Sequence, residues 1–199
     1  MKLWRGEPLV LASKSEVRRK LLEAAGIAVA VDPANIAERA VEASSKDTGP
    51  EAAALVLARE KALAVARRRA GIVLGADQTL VLGDLRFSKP VSVAAARAQL
   101  LELAGRTHAL HSAAALAREG KIVFEAVATA RLSMRPLSDM FLDAYLSAAG
   151  ESVTSSVGAY QLEGFGVHLF EKIEGDHFTV LGLPMLPLLA HFRQVGLLP

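Results

Sequence analysis

Four side chains suited to gripping an anion follow a short apolar run near the start of the chain. Leu9–Ala12 is followed by Ser13 and Ser15, and Arg18 and Arg19 come next. If the run is a buried strand and the arginines open a helix, hydroxyls, backbone N–H groups and the positive end of the helix dipole converge. That combination suits phosphate. The pattern therefore predicts a nucleotide-handling enzyme, although openings of this kind are common.

A single carboxylate is the best candidate for catalysis. Asp77 follows an apolar run over 72–76, so we expect it at the carboxyl end of a strand, where open α/β sheets place their ligand sites. A carboxylate there can bind a divalent cation or activate water. The alternative is that Asp77 only caps a turn.

Three further charged residues are ambiguous from their surroundings alone. Lys89 precedes Pro90 and is predicted to lie in a loop, where it either reaches a phosphate or is solvated. Lys61 interrupts the pattern of a helix with an apolar face, and it either extends outward or points into a cleft. Glu38 is isolated in a polar segment, which favours a surface position.

Composition excludes several classes of function. The chain has no cysteine, which removes disulfides, thiolate catalysis and Cys-based zinc sites. Its 23 Lys and Arg nearly balance 21 Asp and Glu, so we predict no nucleic-acid partner. No signal peptide is recognisable and no apolar stretch reaches ~18 residues, which predicts a cytoplasmic protein without a membrane span. The five histidines lack metal-ligand spacing, and no P-loop or Rossmann motif is present.

Strands and helices follow one another along the chain, with Ser92 and Ser138 as expected N-caps and a hairpin turn expected at Glu119–Gly120. Strands are predicted over 9–12, 28–31, 72–76, 79–82, 107–116, 122–134 and 167–173. Helices are predicted over 16–25, 50–71, 93–103, 138–150 and 184–195, and loops over 34–49 and 152–166, the second with some strand. No linker divides the chain, so we expect one mixed α/β domain over 1–199.

Taken in order, the motifs resemble the Maf family of nucleoside triphosphate pyrophosphatases. The matching strings span nearly the whole chain: LVLASKSEVRRKLLEAAGI, EKA, VLGADQTLVL, SKP, GRTH, GAYQLEGFGVHLFEKIEGD and VLGLP. The resemblance implies an α/β fold of two lobes around an elongated mixed sheet flanked by helices, with a cleft between the lobes, related to inosine-triphosphate pyrophosphatases. It implies hydrolysis of the α–β phosphate bond of non-canonical or modified nucleotides, giving a nucleoside monophosphate and pyrophosphate. A divalent cation, Mg²⁺ or else Mn²⁺, and a homodimer are also implied.

The resemblance assigns roles to individual residues. Asp77 matches the catalytic acid and, with Glu38, is expected to hold the metal. The expected phosphate ligands are Ser13, Ser15, Arg18, Arg19, Lys61 and Lys89. The expected base contacts are Gln78, Gln161 and Glu163.

Some positions depart from the family pattern. GADQ, EGFG and LFE resemble the branch acting on 7-methyl-GTP, whereas GAY at 158–160 is typical of the dTTP and UTP branch, so the base preference stays open. Glu16 stands where the family usually has proline, Ala37 where an acidic residue is frequent, and Ser88 where glycine is usual. A carboxylate at Glu16 would disfavour phosphate unless it faces away or neighbours an arginine.

Two other functions compete with hydrolysis. The first is a regulator of cell division and septum formation that senses a nucleotide without significant turnover. The second is a nucleotidyltransferase, because those enzymes also open with an apolar strand, a turn of small residues and an arginine. They usually carry a glycine-rich turn, which Ser13–Ser15 lacks. Pyrophosphate release with and without Mg²⁺ would discriminate among the three.

Overall fold

A computed structural model describes residues 3–38, 40–41 and 49–199 of the chain. Seven strands of these residues form one mixed sheet flanked by helices, which confirms the predicted fold class. The sheet order is β2-β1-β3-β5-β6-β7, and β4 pairs with β3. The strands are β1 (Leu9–Leu11), β2 (Val29–Val31), β3 (Val73–Leu82), β4 (Leu85–Phe87), β5 (Thr107–Arg118), β6 (Lys121–Met134) and β7 (Phe170–Glu174).

Six α-helices lie wholly within the described part of the chain and accompany these strands. They are α1 (Glu16–Ala24), α2 (Pro50–Ala66), α3 (Val93–Leu103), α4 (Asp139–Ala149), α5 (His177–Val180) and α6 (Met185–Gln194). Short 3₁₀ turns cover Gly150–Thr154, Val157–Ala159 and Phe165–Leu169. None of the helices in the described ranges is both long and apolar enough to cross a membrane.

The first of two compact units consists of Met1–Gln78, His111–Ala128 and Leu181–Pro199. In it, β1 pairs in parallel with β2 and with β3. Small side chains dominate one of its cores: α2 contributes Ala54, Ala58 and Ala62, and β5 contributes Ala113, Ala115 and Ala117. Because alanines occupy the facing surfaces, the helix can lie close to the sheet.

The closest approach of this helix to the sheet is at Gly75 of β3. A Cβ added there would lie 2.1 Å from the carbonyl oxygen of Ala58 and 2.6 Å from the amide nitrogen of Ala62. Only glycine fits, because the obstructing atoms are helix backbone. Side chains on one strand face recur every second residue, so Asp77 is the next residue on the face that meets the helix. The Gly75 contact therefore sets the separation of Asp77 from the Ala58–Ala62 turn.

The second unit consists of Thr79–Leu110 and Thr129–Val180 and has its own core. A buried pair lies inside that core: His108 Nε2 is 2.7 Å from the hydroxyl oxygen of Tyr160. Burial lowers the pKa of His108 to about 4 and raises the pKa of Tyr160. Both side chains are therefore uncharged at neutral pH, as a buried polar pair in an apolar core requires.

The predicted position of Asp77 at the end of a strand is wrong. The apolar run over 72–76 predicts Asp77 at the carboxyl end of a strand, but Asp77 lies inside the ten-residue strand β3. The strand continues because Leu80, Val81 and Leu82 pair with β4. The shorter strand β1 does end nearby, since its pairing with β3 reaches only Leu74. Asp77 thus lies beyond the end of β1 on a strand that runs on.

Several local predictions are confirmed. Ser92 and Ser138 are N-caps whose side chains accept hydrogen bonds from Ala95 and Phe141 backbone N–H groups. The predicted turn at 119–120 joins β5 and β6, and Glu119 and Gly120 both have positive φ, at 52° and 73°. This is the conformation that a two-residue hairpin turn favours.

The region from 152 to the end of the chain differs from prediction in three ways. The segment 152–166 contains 3₁₀ turns and no strand. The strand expected over 167–173 begins at Phe170, because the preceding residues form a 3₁₀ turn. Helix α5 was not predicted, and Asp176 caps it by accepting a hydrogen bond from the Thr179 N–H at 3.0 Å.

The predicted loop over 34–49 is only partly described, and the predicted domain organisation is not tested. In the expected loop over 34–49, Glu38 and residues 40–41 are helical, whereas 39 and 42–48 lie outside the described residues. The organisation of the chain as one domain with two lobes and a cleft stays a prediction.

The Gly75 contact generates a stability prediction. Gly75→Ala forces a methyl group into helix backbone, so we expect the free energy of unfolding to fall by about 3 kcal/mol or more in urea denaturation. Gly164→Ala is the control, because its nearest neighbour is the Gln161 carbonyl oxygen at an ordinary 3.8 Å. If Gly75→Ala is as stable as the control, helix and strand are not in backbone contact at this point.

Candidate functional site

An ion-pair cluster joins α2 and β3 in the first unit. Lys61 Nζ lies 2.6 Å from Asp77 Oδ1 and 2.9 Å from Glu38 Oε1. The side chain of Lys61 is 9% exposed, whereas those of Asp77 and Glu38 are 14% and 53% exposed. A buried ammonium is tolerated only when it is paired, and here two carboxylates supply the pairing. Lys61 therefore points inward, and Glu38 belongs to the cluster rather than to an isolated surface.

Arg18 is held beside this cluster by backbone carbonyls. Its Nε donates a hydrogen bond to the Gly182 carbonyl oxygen, and its Nη1 donates to that of Ala76, both at 2.8 Å. Burial lowers the pKa of Arg18, while the negative charges of Asp77 and Glu38 oppose that shift. The guanidinium is thus a fixed positive charge in the neighbourhood of both carboxylates.

The two predicted serines order the turn between β1 and α1. Ser15 caps the helix, its Oγ accepting a hydrogen bond from the Arg18 N–H at 3.4 Å. Ser13 Oγ accepts from the Ser15 N–H at 3.2 Å and lies 3.4 Å from Arg18 Nη1. The hydroxyls therefore lie at the amino end of α1, where backbone N–H groups and the helix dipole favour an anion.

The guanidinium of Arg19 is surrounded by different groups. It forms ion pairs with Glu16 and Glu23 along the surface of α1, the second with Nη1 2.9 Å from Glu23 Oε1. These pairs raise the pKa of Arg19, and the family departure Glu16 indeed neighbours an arginine. The structure brings Arg18 to the Asp77 cluster and pairs Arg19 elsewhere, so the phosphate role of Arg19 stays a prediction without geometric support.

Gln78 lies on the opposite face of β3 from Asp77, and a buried serine holds its amide. Gln78 Nε2 donates a hydrogen bond to Ser112 Oγ at 2.9 Å. Sequence reasoning missed Ser112 and the Gly182 carbonyl. The sequence held a signal for each: Ser112 is a polar residue beside an alanine-rich strand, and Gly182 stands shortly before a proline in VLGLP. In the structure Gly182 has a φ of +93°, a conformation that favours glycine.

The remaining predicted residues lie in the second unit. Lys89 and Glu163 are exposed. Gln161 Nε2 donates a hydrogen bond to Ser155 Oγ at 2.8 Å, and Gln161 lines a cavity of about 240 Å³ between α4 and the loop that follows it in this unit. The phosphate role of Lys89 and the base contacts of Gln161 and Glu163 stay predictions.

Comparison with known proteins decides the family. The family model described as "Maf-like protein" matches residues 8–195. The chain belongs to the Maf family. This confirms the resemblance that the motifs indicated.

Curated Maf relatives cover the chain almost end to end. The chain is 56% identical to a nucleoside triphosphate pyrophosphatase of Bradyrhizobium diazoefficiens, over 100% of this chain and 99% of the relative. It is 51% identical to a 7-methyl-GTP pyrophosphatase of Mesorhizobium japonicum over 96% and 97% of the two chains. A 7-methyl-GTP pyrophosphatase of Rhizobium etli is 53% identical over 94% and 96%. These relatives confirm the predicted enzyme class.

Maf-family pyrophosphatases are generally dependent on a divalent metal, and the site residues fit one in a particular way. Among the described residues, no three His, Asp or Glu side chains cluster as cation ligands. Asp77 and Glu38 nevertheless offer two oxygen donors close together, because one oxygen of each carboxylate contacts the Lys61 ammonium. Mg²⁺ is usually held by one or two carboxylates together with substrate phosphates and water. The pair therefore fits a cation that a bound phosphate helps to hold.

The two adjacent arginines allow a matched test of this geometry. Arg18→Gln removes the charge held by Ala76 and Gly182, so we expect nucleotide binding to weaken by about tenfold or more in calorimetric titration. Arg19→Gln removes a charge already paired with Glu16 and Glu23, and we expect a change within about twofold. Equal losses in both variants would contradict the assignment and restore Arg19 as a phosphate ligand.

Proposed function

We propose that this Maf protein is a nucleoside triphosphate pyrophosphatase that hydrolyses the bond between the α- and β-phosphates. The observation that carries the proposal is the cluster in which buried Lys61 and backbone-held Arg18 lie beside the carboxylates of Asp77 and Glu38. Fixed cations beside oxygen donors are what polyphosphate chemistry needs. The names of the relatives support the same activity.

Cationic and hydroxyl groups bind the triphosphate in this proposal. Arg18 offers a charge already oriented by two carbonyls, which limits reorganisation when phosphate arrives. Lys61 is a point charge on a flexible stem and follows the phosphate oxygens. Ser13 and the N–H groups at the start of α1 orient the phosphate, and Ser15 maintains that turn. Lys89 is a further proposed phosphate ligand.

Asp77 has the catalytic role. Its carboxylate accepts a hydrogen bond from the attacking water and takes the proton as the water oxygen bonds to the α-phosphorus. The bond from that phosphorus to the bridging oxygen breaks, and pyrophosphate leaves. Asp77 and Glu38 would also hold the divalent cation, for which we propose Mg²⁺ with Mn²⁺ as the alternative. When bound, the cation offsets the charge that develops on the phosphate oxygens.

The proposed preferred substrate is 7-methyl-GTP. Two relatives at 51% and 53% identity carry that name, and the strings GADQ and EGFG point to the same branch. Gln78, Gln161 and Glu163 are the proposed base contacts. Canonical dTTP and UTP are the alternative substrates, because GAY at 158–160 is typical of that branch. A cytoplasmic homodimer without a nucleic-acid partner is proposed for the whole protein.

A nucleotide panel tests this function. Wild type, Asp77→Asn and the control Asp84→Asn, which changes an exposed turn carboxylate, are assayed for pyrophosphate release with and without Mg²⁺. We expect metal-dependent release, greatest with 7-methyl-GTP, and a loss of about a thousandfold in Asp77→Asn alone, because its amide cannot take the proton. In water labelled with heavy oxygen, the label should enter the monophosphate.

Each other outcome contradicts a distinct part of the proposal. Tight nucleotide binding without turnover would support the regulator, and release that requires an acceptor would support the transferase. A normal rate in Asp77→Asn would remove Asp77 from catalysis. Equal rates for all bases would exclude the proposed preference for 7-methyl-GTP.

A further inference from the structure

We propose that Lys61 is an internal counter-ion that occupies the place of the divalent cation between Asp77 and Glu38 until the nucleotide binds. This inference rests on the proposed function and concerns the order in which metal and substrate bind. Its consequence is that the nucleotide-free protein has little affinity for a free divalent cation, and that the cation is bound together with the triphosphate.

The geometry places one cation where another is expected. Lys61 Nζ contacts Asp77 Oδ1 at 2.6 Å and Glu38 Oε1 at 2.9 Å, so a single ammonium bridges both carboxylates. A divalent cation shared by the same oxygens would take the position of that ammonium. The two cations therefore exclude each other, by volume and by charge.

The electrostatic balance points the same way. Arg18 also interacts with both carboxylates, so the four charged groups are two cations and two anions with no formal net charge. A free Mn²⁺ or Mg²⁺ ion meets a neutral cluster and a resident ammonium, which repels it. A triphosphate changes this balance, because its negative oxygens attract Lys61 and Arg18 and leave the carboxylates available.

The fold allows Lys61 to move without moving its helix. The α2 backbone is fixed against β3 at Gly75, so the Cα of Lys61 stays in place. Its four-carbon side chain can still turn from a carboxylate to a phosphate oxygen. Glu38 is 53% exposed, so one of the two partners is open to solvent and to an arriving ion.

Binding of Mn²⁺ to the nucleotide-free protein tests the inference, with free Mn²⁺ measured by electron paramagnetic resonance. We expect weak binding by wild type and by Lys61→Arg, which keeps the charge. Lys61→Met removes the charge at similar volume and should bind Mn²⁺ at least about tenfold more tightly. Adding Asp77→Asn to Lys61→Met should abolish that gain. Arg59→Met on the same helix is the matched control, because it frees Glu125 and should leave Mn²⁺ affinity unchanged.

Two results would overturn the inference. One is a Lys61→Met variant that binds Mn²⁺ no better than wild type. The other is wild type that binds Mn²⁺ as tightly alone as with a non-hydrolysable α,β-methylene triphosphate. Lys61→Gln provides a second neutral variant should Lys61→Met fold poorly, and a larger rise of its melting temperature with Mn²⁺ than that of wild type supports the same conclusion.

Failure of this inference is distinguishable from failure of the proposed function. If wild type releases pyrophosphate from nucleotides but the Lys61 variants gain no Mn²⁺ affinity, only the counter-ion role of Lys61 is refuted. If wild type releases no pyrophosphate from any nucleotide of the panel, the proposed enzymatic function itself is refuted.

Discussion

The backbone contact between α2 and β3 at Gly75 is the constraint on which the first unit depends. No side chain fits there, since a Cβ would meet the Ala58 carbonyl oxygen at 2.1 Å. An alanine-rich helix face makes the approach possible, and the approach in turn holds Lys61 against Asp77. Packing in this unit thus determines the position of a buried charge, which would otherwise destabilise the fold.

The charged cluster is built from groups that constrain one another. Lys61 is buried because Asp77 and Glu38 pair with it, and Arg18 is fixed because two backbone carbonyls accept its N–H groups. Removing one member of such a cluster leaves another charge unpaired, at a cost larger than the net worth of the pair. In the proposed function, a triphosphate would pair with the two cations and its divalent cation with the two carboxylates, so that no charge of the cluster is left unpaired.

Local signals predicted much of this structure. The N-caps Ser92 and Ser138, the hairpin turn at 119–120 and the strand–turn–helix opening follow from nearby residues and were placed from the sequence, whereas the cap at Asp176 was not. The position of Asp77 inside its strand was not predicted. Strand β3 continues beyond the end of β1, and the length of a strand depends on partners that are distant in sequence. The inward direction of Lys61 likewise depends on Glu38 and on Asp77. Which of Arg18 and Arg19 lies beside Asp77 depends on the face of α1 that each occupies. The sequence did indicate a surface position for Arg19, because Glu16 and Glu23 stand at helical spacing from it.

The most direct test of the central claim is a crystal structure of the wild-type protein with Mn²⁺ and a non-hydrolysable α,β-methylene nucleoside triphosphate. We expect an anomalous Mn²⁺ peak within coordination distance of Asp77 and Glu38, with the triphosphate bound to Arg18 and Lys61 Nζ turned to a phosphate oxygen. A triphosphate bound elsewhere, with Lys61 still bridging the two carboxylates, would contradict it.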